Sequence, residues 1–212
     1  MIDLPFGQIK LGETDVMAFI IYCLPRSRSA WLAHFLDYPM ARPRQHVAHD
    51  VAPLCRSVGN FIKAYTEEGM WGSIEQSGII GWQVIRKELP DLKTIVVKRP
   101  LQEVYNSLAQ MGIQPHLNNL AELNELLDVV SNQPGVHTIS SASLDSPMMC
   151  KWLFEYCLEL EFDFDWWMHL APLNIQINMD EVMKVRGEID ERYKLYQADV
   201  LERMKELGSC LH

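Results

Sequence analysis

An apolar run that stops at a proline and gives way to alternating arginines and serines constrains the fold of this chain most. Residues 16–24 are all apolar or aromatic, and Pro25 is followed by two arginines that alternate with two serines. From Trp31 onward, apolar residues recur at helical spacing. A continuous apolar run suits a strand that is covered on both faces of a parallel sheet. The order therefore predicts a buried strand over 16–24, a tight turn, and a helix over 29–38.

The predicted turn has the donors that an anion requires. A helix that starts directly after a strand points backbone N–H groups and the positive end of its dipole at the turn. Arg26 and Arg28 add full positive charges, while Ser27 and Ser29 add hydroxyl donors. The sequence therefore predicts a site for a phosphate or sulfate group. The turn is not a Walker A motif, because it lacks the glycine and lysine residues that this motif requires.

Strand and helix patterns alternate along the rest of the chain. Strands are predicted over 78–85 and 94–98, with short extended pieces around Val47 and over 137–139 and a half-exposed edge strand over 173–178. Helices are predicted over 60–68, 100–111, 117–130 and 147–160, and a last helix over 180–208 is predicted as a C-terminal extension. Such alternation predicts an α/β fold with a mainly parallel central sheet and helices on both faces.

The composition suits one domain that binds a small anion. The 212 residues are 48% hydrophobic, which is enough for a full core, and we expect a single α/β domain over 1–212. A net charge of -9 disfavours nucleic-acid binding, which requires a basic surface. Residues 25–63 are nevertheless locally basic, with six arginines and lysines against two aspartates. A basic region within an acidic protein fits a small anionic ligand better than a polymer.

Cysteine usage and hydropathy predict a cytoplasmic protein. The five cysteines are odd in number and include no C-x-x-C pair, and Cys23 and Cys157 fall within apolar segments. We therefore expect reduced core thiols. The longest apolar run, residues 16–24, is too short to cross a bilayer, and no signal-peptide pattern is present. No membrane partner is expected.

A second arginine–serine pair lies further along the chain. Arg99 directly follows the predicted strand over 94–98, Pro100 fits the first position of a helix, and Ser107 lies two helical turns later. In open α/β sheets, ligands bind at the carboxyl ends of strands, which is where this arginine is expected. A serine on the following helix adds a hydroxyl donor for the same anion.

The two motifs together, in this order, resemble the sulfotransferases that use 3′-phosphoadenosine-5′-phosphosulfate (PAPS). In that family, a strand–loop–helix of the form P-(K/R)-S-x-(S/T)-x-(W/F/L) grips the 5′-phosphosulfate. A later strand ends in Arg, and a Ser eight positions on completes the 3′-phosphate site. Residues 25–31 and the pair Arg99 and Ser107 match both patterns. The resemblance covers residues 17–110 and implies a P-loop-NTPase-like sulfotransferase fold.

The sequence is most similar to a bacterial and phage branch, akin to the Stf-type enzymes. Residues 25–33 carry this likeness, as does the pair His49-Asp50 after the first helix. The stretch 162–174 resembles the branch less specifically. Arg28 departs from the pattern, because many members carry a small residue or glycine there. The C-terminal Arg-Lys-Gly segment of the cytosolic animal branch is not clearly present.

The resemblance implies specific roles for the residues of both motifs. Arg26 is expected to contact the 5′-phosphosulfate and to stabilise charge on the leaving phosphate. The next residues of the turn are expected to wrap the same group, Trp31 to stack near the adenine, and the second motif to hold the 3′-phosphate. The cofactor residues implied are Arg26, Ser27, Arg28, Ser29, Ala30, Trp31, Arg99 and Ser107.

An acceptor hydroxyl or amine also needs a proton acceptor, and His49 and Asp50 are the candidates. With His46 they form an H-x-x-H-D cluster, which also suits Zn²⁺. The cluster has no clear third ligand, and sulfuryl transfer in this family needs no metal. No metal is therefore expected.

The sequence predicts a PAPS-dependent sulfotransferase that acts on a small hydroxyl or amine acceptor. Two alternatives remain open: an atypical P-loop phosphotransferase, which the missing Walker lysine disfavours, and a non-catalytic or degenerate binder of a phosphorylated adenine nucleotide. The apolar stripe of the last helix suits either core packing or a homodimer seam. The acceptor itself is not specified, because acceptor pockets are built from variable loops.

Overall fold

Apolar and β-branched residues form a central sheet in the computed structural model, which describes residues 18–41, 46–67, 69–113 and 117–209. The strands are β1 (Phe19–Cys23), β2 (His46–His49), β3 (Met70–Glu75), β4 (Lys93–Lys98) and β5 (Val136–Ser140). They lie in the order β2-β3-β1-β4-β5, and every neighbouring pair is parallel. The predicted α/β class with a mainly parallel sheet is confirmed. Residues 16 and 17 of the predicted first strand lie outside the described residues.

Helices occupy most of the chain between and after the strands. The α-helices are α1 (Ser29–Leu36), α2 (Val58–Thr66), α3 (Trp82–Glu88), α4 (Leu101–Gln110), α5 (Leu117–Ser131), α6 (Pro147–Leu158), α7 (Phe164–Leu170), α8 (Met179–Lys184) and α9 (Arg186–Ser209). Short 3₁₀ helices span Ala52–Cys55, Ser77–Gly81 and Ser141–Asp145. Side-chain caps fix the N-termini of α2 and α7: Ser57 accepts from the Asn60 amide at 3.1 Å, and Asp163 accepts from the Trp166 amide at 2.9 Å.

The sheet is covered on both faces, as its apolar strands require. Alternate residues of β1 enter two separate cores, with Ile20 and Tyr22 in one and Phe19, Ile21 and Cys23 in the other. The first core is completed by α2, α3, α4, α5 and α9, and the second by α1, α6 and α7. Helices therefore lie on both faces, as predicted.

The order of the strands places a crevice at the carboxyl end of β1. The helix that follows β1 packs on one face of the sheet, whereas α3 and α4, which follow the neighbouring strands β3 and β4, pack on the other. Chain segments that leave adjacent strands toward opposite faces leave a gap between them, and ligands of open α/β sheets bind there. The turns after β1, β3 and β4 thus meet at one place.

The strand predicted over 78–85 is wrong. Those residues form the 3₁₀ helix Ser77–Gly81 and part of α3, and the strand lies earlier, at β3. Gly72 interrupts the apolar pattern of β3, yet the sheet requires it, because a Cβ at this position would lie 2.2 Å from the Cζ atom of Phe19 on β1. Glycine is more typical of turns than of strands, but at this position it leaves room for the aromatic ring of Phe19.

The edge strand predicted over 173–178 is also wrong. These residues form no strand, and the edges of the sheet are β2 and β5. Residues 173–177 form part of the wall of a cavity instead. The last predicted helix is broken into α8 and α9, and α9 packs onto the first core through Tyr196 and Val200.

Within the described ranges, the helices are all too short or too polar to span a lipid bilayer.

Candidate functional site

The turn between β1 and α1 holds two arginines in an unusual backbone conformation. Arg26 and Arg28 both have φ of 64°, in the left-handed region that residues with side chains rarely adopt. Such a conformation costs about 1–3 kcal/mol per residue. Asp50, Arg56 and Glu159 also adopt it, but among the described residues only in this turn do two such residues lie within three positions and carry charges that line a cavity. Arg28 is the N-cap of α1, and the first bond of the helix runs from the Leu32 amide to its carbonyl at 2.8 Å. The turn therefore lies at the open, positive end of the helix.

A cavity of about 380 Å³ opens beside this turn. We call it the first cavity. Its polar lining includes three arginines and four uncharged residues: Arg26, Arg28, Arg99, Ser29, Gln76, Asn174 and Gln176. Its apolar lining includes Ala30, Leu108, Met111, Ile113, Leu173, Ile175 and Ile177. A ligand that combines a multiply charged end with an apolar or aromatic body matches this division.

The two arginine–serine motifs are in contact beside the first cavity, which Arg99 lines and Ser107 does not. Arg99 donates through Nη1 to the carbonyl oxygen of Arg26, although the residues are 73 positions apart. Arg26 in turn donates through Nε to Ser107 Oγ at 3.1 Å. Ser107 thus binds the arginine of the first motif, and the two predicted anion sites share their components.

Like charges converge in this arrangement. Partial burial and the neighbouring charge of Arg99 lower the pKa of Arg26 from its usual value. Two guanidinium groups that are brought together repel each other, and a shared anion would remove that repulsion. The electrostatics of the cavity therefore favour a negatively charged ligand.

Exposed carboxylates contact two of the three arginines at the rim. Arg28 binds Asp145 at 2.6 Å, and the Nε atom of Arg99 lies 3.2 Å from Glu103. Both carboxylates are exposed, and ion pairs of this kind contribute roughly 0.2–1 kcal/mol. An anionic ligand with several charged oxygens can therefore compete for both arginines.

Trp31 is a packing residue in this structure. Only 2% of its surface is exposed, its Nε1 donates to the Leu170 carbonyl at 2.9 Å, and its ring stacks on Phe35 with centroids 4.9 Å apart. The Arg28 guanidinium lies 4.5 Å from the same ring. Trp31 thus anchors α1 to α7. The arrangement does not support the expected stacking of adenine on this ring, because almost none of it is accessible.

The two serines of the turn have different surroundings. Ser29 lines the first cavity, and its hydroxyl accepts from the side-chain amide of Gln76 at 3.3 Å. Ser27 is fully buried, and its hydroxyl has no hydrogen-bond partner among the described residues. Of the two, Ser29 is the one placed to contact a ligand.

His49 ends β2 and lines a second cavity of about 250 Å³, together with His34 and Asp37. The second cavity shares Ala30, Gln176 and Ile177 with the first, so the two adjoin.

The Nε2 atom of His49 is buried and has no hydrogen-bond partner among the described residues. Burial, with a smaller effect from His34, lowers the pKa of His49, although Asp50 acts in the opposite direction. A neutral imidazole near pH 7 can accept a proton.

Asp50 stabilises the turn after β3 and does not line either cavity. Its Oδ1 accepts from the Gln76 amide at 3.1 Å and from the Ser77 hydroxyl at 3.4 Å. Burial raises its pKa, against the effect of these hydrogen bonds. Of the two predicted proton acceptors, the structure therefore brings His49 to a cavity and leaves Asp50 in a structural position.

Glu75 is a buried residue that the sequence did not single out. It is fully buried at the end of β3, and its two oxygens accept from the amides of Val51 and Ala52, each at 3.2 Å. Burial, reinforced by the charge of Asp50, raises its pKa well above the usual value. Asp50 thus accepts from the turn that follows Glu75, and Glu75 accepts from the turn that follows Asp50. These hydrogen bonds stabilise the end of β2, where His49 lies. A correct assignment of β3 was the only sequence signal that would have placed Glu75 there.

Three further polar residues of the site were also missed. Gln76 follows β3, Asp145 ends a 3₁₀ helix, and Gln176 accepts from Arg26 Nη1 at 3.2 Å. No local pattern marks them, because each reaches the site across a long sequence separation. Among the described residues, no group of three or more His, Cys, Asp or Glu is arranged to hold a metal ion.

A scan against protein-family models gave no match, and a search of curated protein sequences gave no significant match.

Proposed function

We propose that this chain is a PAPS-dependent sulfotransferase that moves a sulfuryl group to a hydroxyl or amine of a small acceptor. The main support is the convergence of Arg26 and Arg99 on the first cavity. These arginines leave the carboxyl ends of the neighbouring strands β1 and β4, and they belong to the two motifs that resemble the family. PAPS carries an anionic group at each of its 5′ and 3′ positions, and each motif would hold one of them.

The residues present fit such a nucleotide. Arg26, Arg28 and Ser29 would hold the 5′-phosphosulfate, and Arg99 with Ser107 would hold the 3′-phosphate. Because Trp31 is buried, the nucleoside would contact the apolar residues that line the first cavity instead of this ring. PAPS, when bound, supplies the sulfuryl group that passes to the acceptor.

Two residues of the chain would carry the chemistry of the transfer. His49 would take the proton of the acceptor hydroxyl or amine as that atom bonds to sulfur, which requires its side chain to turn so that the buried Nε2 becomes accessible from the second cavity. Arg26 would offset the negative charge that grows on the phosphate oxygen as its bond to sulfur breaks. Positioning and charge stabilisation supply most of the rate enhancement in such in-line transfers. The acceptor would lie in the second cavity, which adjoins the first and carries His49.

Isothermal titration calorimetry with adenosine 3′,5′-bisphosphate, and with ATP as the control, tests this proposal. We expect clear binding of the bisphosphate and much weaker binding of ATP, which lacks a 3′-phosphate. Preferential binding of ATP would favour an atypical phosphotransferase. Binding of the bisphosphate without any release of it from PAPS, over a panel of phenols, sugars and amines, would favour a non-catalytic nucleotide binder.

A further inference from the structure

An irregular segment forms part of the wall between the two cavities. Residues 173–178 lie between α7 and α8 and have no regular secondary structure. Residues 173–177 line the first cavity, and Gln176 and Ile177 also line the second. From α1, Ala30 is the residue that both cavities share. Any group that passes from one cavity to the other therefore passes beside Ala30, Gln176 and Ile177.

Gln176 is the polar member of this boundary, and both ends of its amide are engaged. Its Oε1 accepts from Arg26 Nη1 at 3.2 Å, and its Nε2 donates to Asn174 Oδ1 at 2.8 Å. The side chain is exposed, so it is not held by packing. It offers a neutral acceptor to the same guanidinium that the proposed function assigns to an anion.

An anion bound to Arg26 would change what this amide can do. An anionic oxygen and the amide oxygen are both acceptors, so they repel each other where they come close beside the guanidinium. Rotation of the amide about its last torsion exchanges the oxygen for an NH₂ group that has two donors. The same side chain can therefore satisfy Arg26 when the cavity is empty and donate to an anion when it is filled.

We propose that Gln176 is a further catalytic residue, whose amide NH₂ donates to an oxygen of the sulfuryl group at the boundary of the two cavities. This inference rests on the proposed function. A donor aimed at the place where charge develops stabilises the transition state, and its loss lowers kcat. Gln176 is also the residue that would discriminate PAPS from its product, because only PAPS carries the sulfuryl group.

The test compares binding of PAPS and of adenosine 3′,5′-bisphosphate to Gln176→Leu. The substitution should weaken PAPS binding about tenfold, as expected for the loss of a hydrogen bond to a charged group, and should change bisphosphate binding less than about threefold. Gln176→Glu places a carboxylate beside Arg26 and should weaken both ligands by about tenfold or more. Gln83, an exposed glutamine on α3, provides matched controls as Gln83→Leu and Gln83→Glu, which should change neither affinity.

An unchanged ratio of the two affinities in Gln176→Leu would overturn the inference. Equal weakening of both ligands would also overturn it, because Gln176 would then only shape the nucleotide site. These outcomes differ from failure of the proposed function, in which the unmodified protein would bind neither ligand.

Discussion

The carboxyl ends of β1 and β3 lie side by side, and their turns carry opposite charges. Glu75 is the last residue of β3 and accepts from the amides of Val51 and Ala52 in the turn after β2. Asp50 directly follows β2 and accepts from the amide of Gln76 in the turn after β3. After β1, the charged side chains are instead Arg26 and Arg28, and they face a cavity. Where the chain supplies its own carboxylate, the amides of a turn need no ligand. Where it supplies cations, the turn suits an external anion.

Both clusters place like charges together, but only one is open. The carboxylates of Asp50 and Glu75 raise the energy of each other's charged form inside the protein, and burial raises the pKa of both. Arg26 and Arg99 repel each other at a cavity, where a ligand can enter. The comparison therefore assigns stability to the carboxylate cluster and ligand binding to the arginine cluster.

The largest effect expected outside the arginine cluster is on turnover by His49→Ala. Loss of the proton acceptor should lower kcat by about 1,000-fold, within the usual range for general bases, and leave the affinity for adenosine 3′,5′-bisphosphate unchanged. Release of the bisphosphate from PAPS, over a panel of phenols, sugars and amines, measures turnover.

The pH profile gives a second measure of the same residue. Because burial lowers the pKa of His49, the base should be mainly neutral at pH 7, and kcat should fall as the pH drops through that lowered pKa. The exposed His137 on β5 provides the control His137→Ala. Full activity in His49→Ala would place the proton acceptor elsewhere, and a large loss of nucleotide affinity would make His49 part of the donor site.

The carboxylate cluster should respond in stability. Glu75→Ala leaves two buried amides without an acceptor, which should lower the free energy of unfolding by about 3 kcal/mol. Glu75→Gln keeps one acceptor oxygen and should cost less. Urea unfolding monitored by circular dichroism measures both, with Glu88→Ala, at an exposed position on α3, as the control.

The same variants give a pH dependence with a defined sign. The pKa of Glu75 is raised in the folded protein, so its contribution to stability is fully present below the usual glutamate pKa and is lost as pH rises through the raised value. Glu75→Gln should therefore flatten the decline in stability above about pH 4.5. A decline that is equally steep in the variant would show that Glu75 does not carry it.

The smallest effect expected is at the rim of the arginine cluster. Asp145→Asn removes the carboxylate that binds Arg28 and should tighten binding of the bisphosphate by about threefold or less, with stability unchanged within about 0.5 kcal/mol. Calorimetry and urea unfolding check the two expectations. Weaker binding in this variant would indicate that Asp145 orients Arg28 for the ligand.

The arginine cluster was more predictable from the sequence than the carboxylate cluster. The strand β1 is an unbroken apolar run, and β4 has a β-branched apolar centre at residues 95–97. A turn between a strand and a helix is set by local sequence. By contrast, β3 includes Gly72, which is explained by the ring of Phe19 on β1, and ends in Glu75, which is explained by the amides of the turn after β2.

Residues that reach the site from distant segments could not be placed from local patterns. Gln176 lies 150 positions from Arg26, and its segment lines a cavity, although its apolar–polar alternation is typical of an edge strand. Trp31 fits a family motif and also a helix core, and the sequence does not distinguish the two.

Calorimetry of Arg99→Ala measures whether the two motifs form one site for a nucleotide with two anionic ends. Binding of adenosine 3′,5′-bisphosphate should weaken about 100-fold, while binding of ADP should change less than about threefold, because ADP has no 3′-phosphate. Arg186→Ala, at an exposed position that begins α9, should change neither. Equal weakening of both nucleotides, or no change in either, would contradict the account.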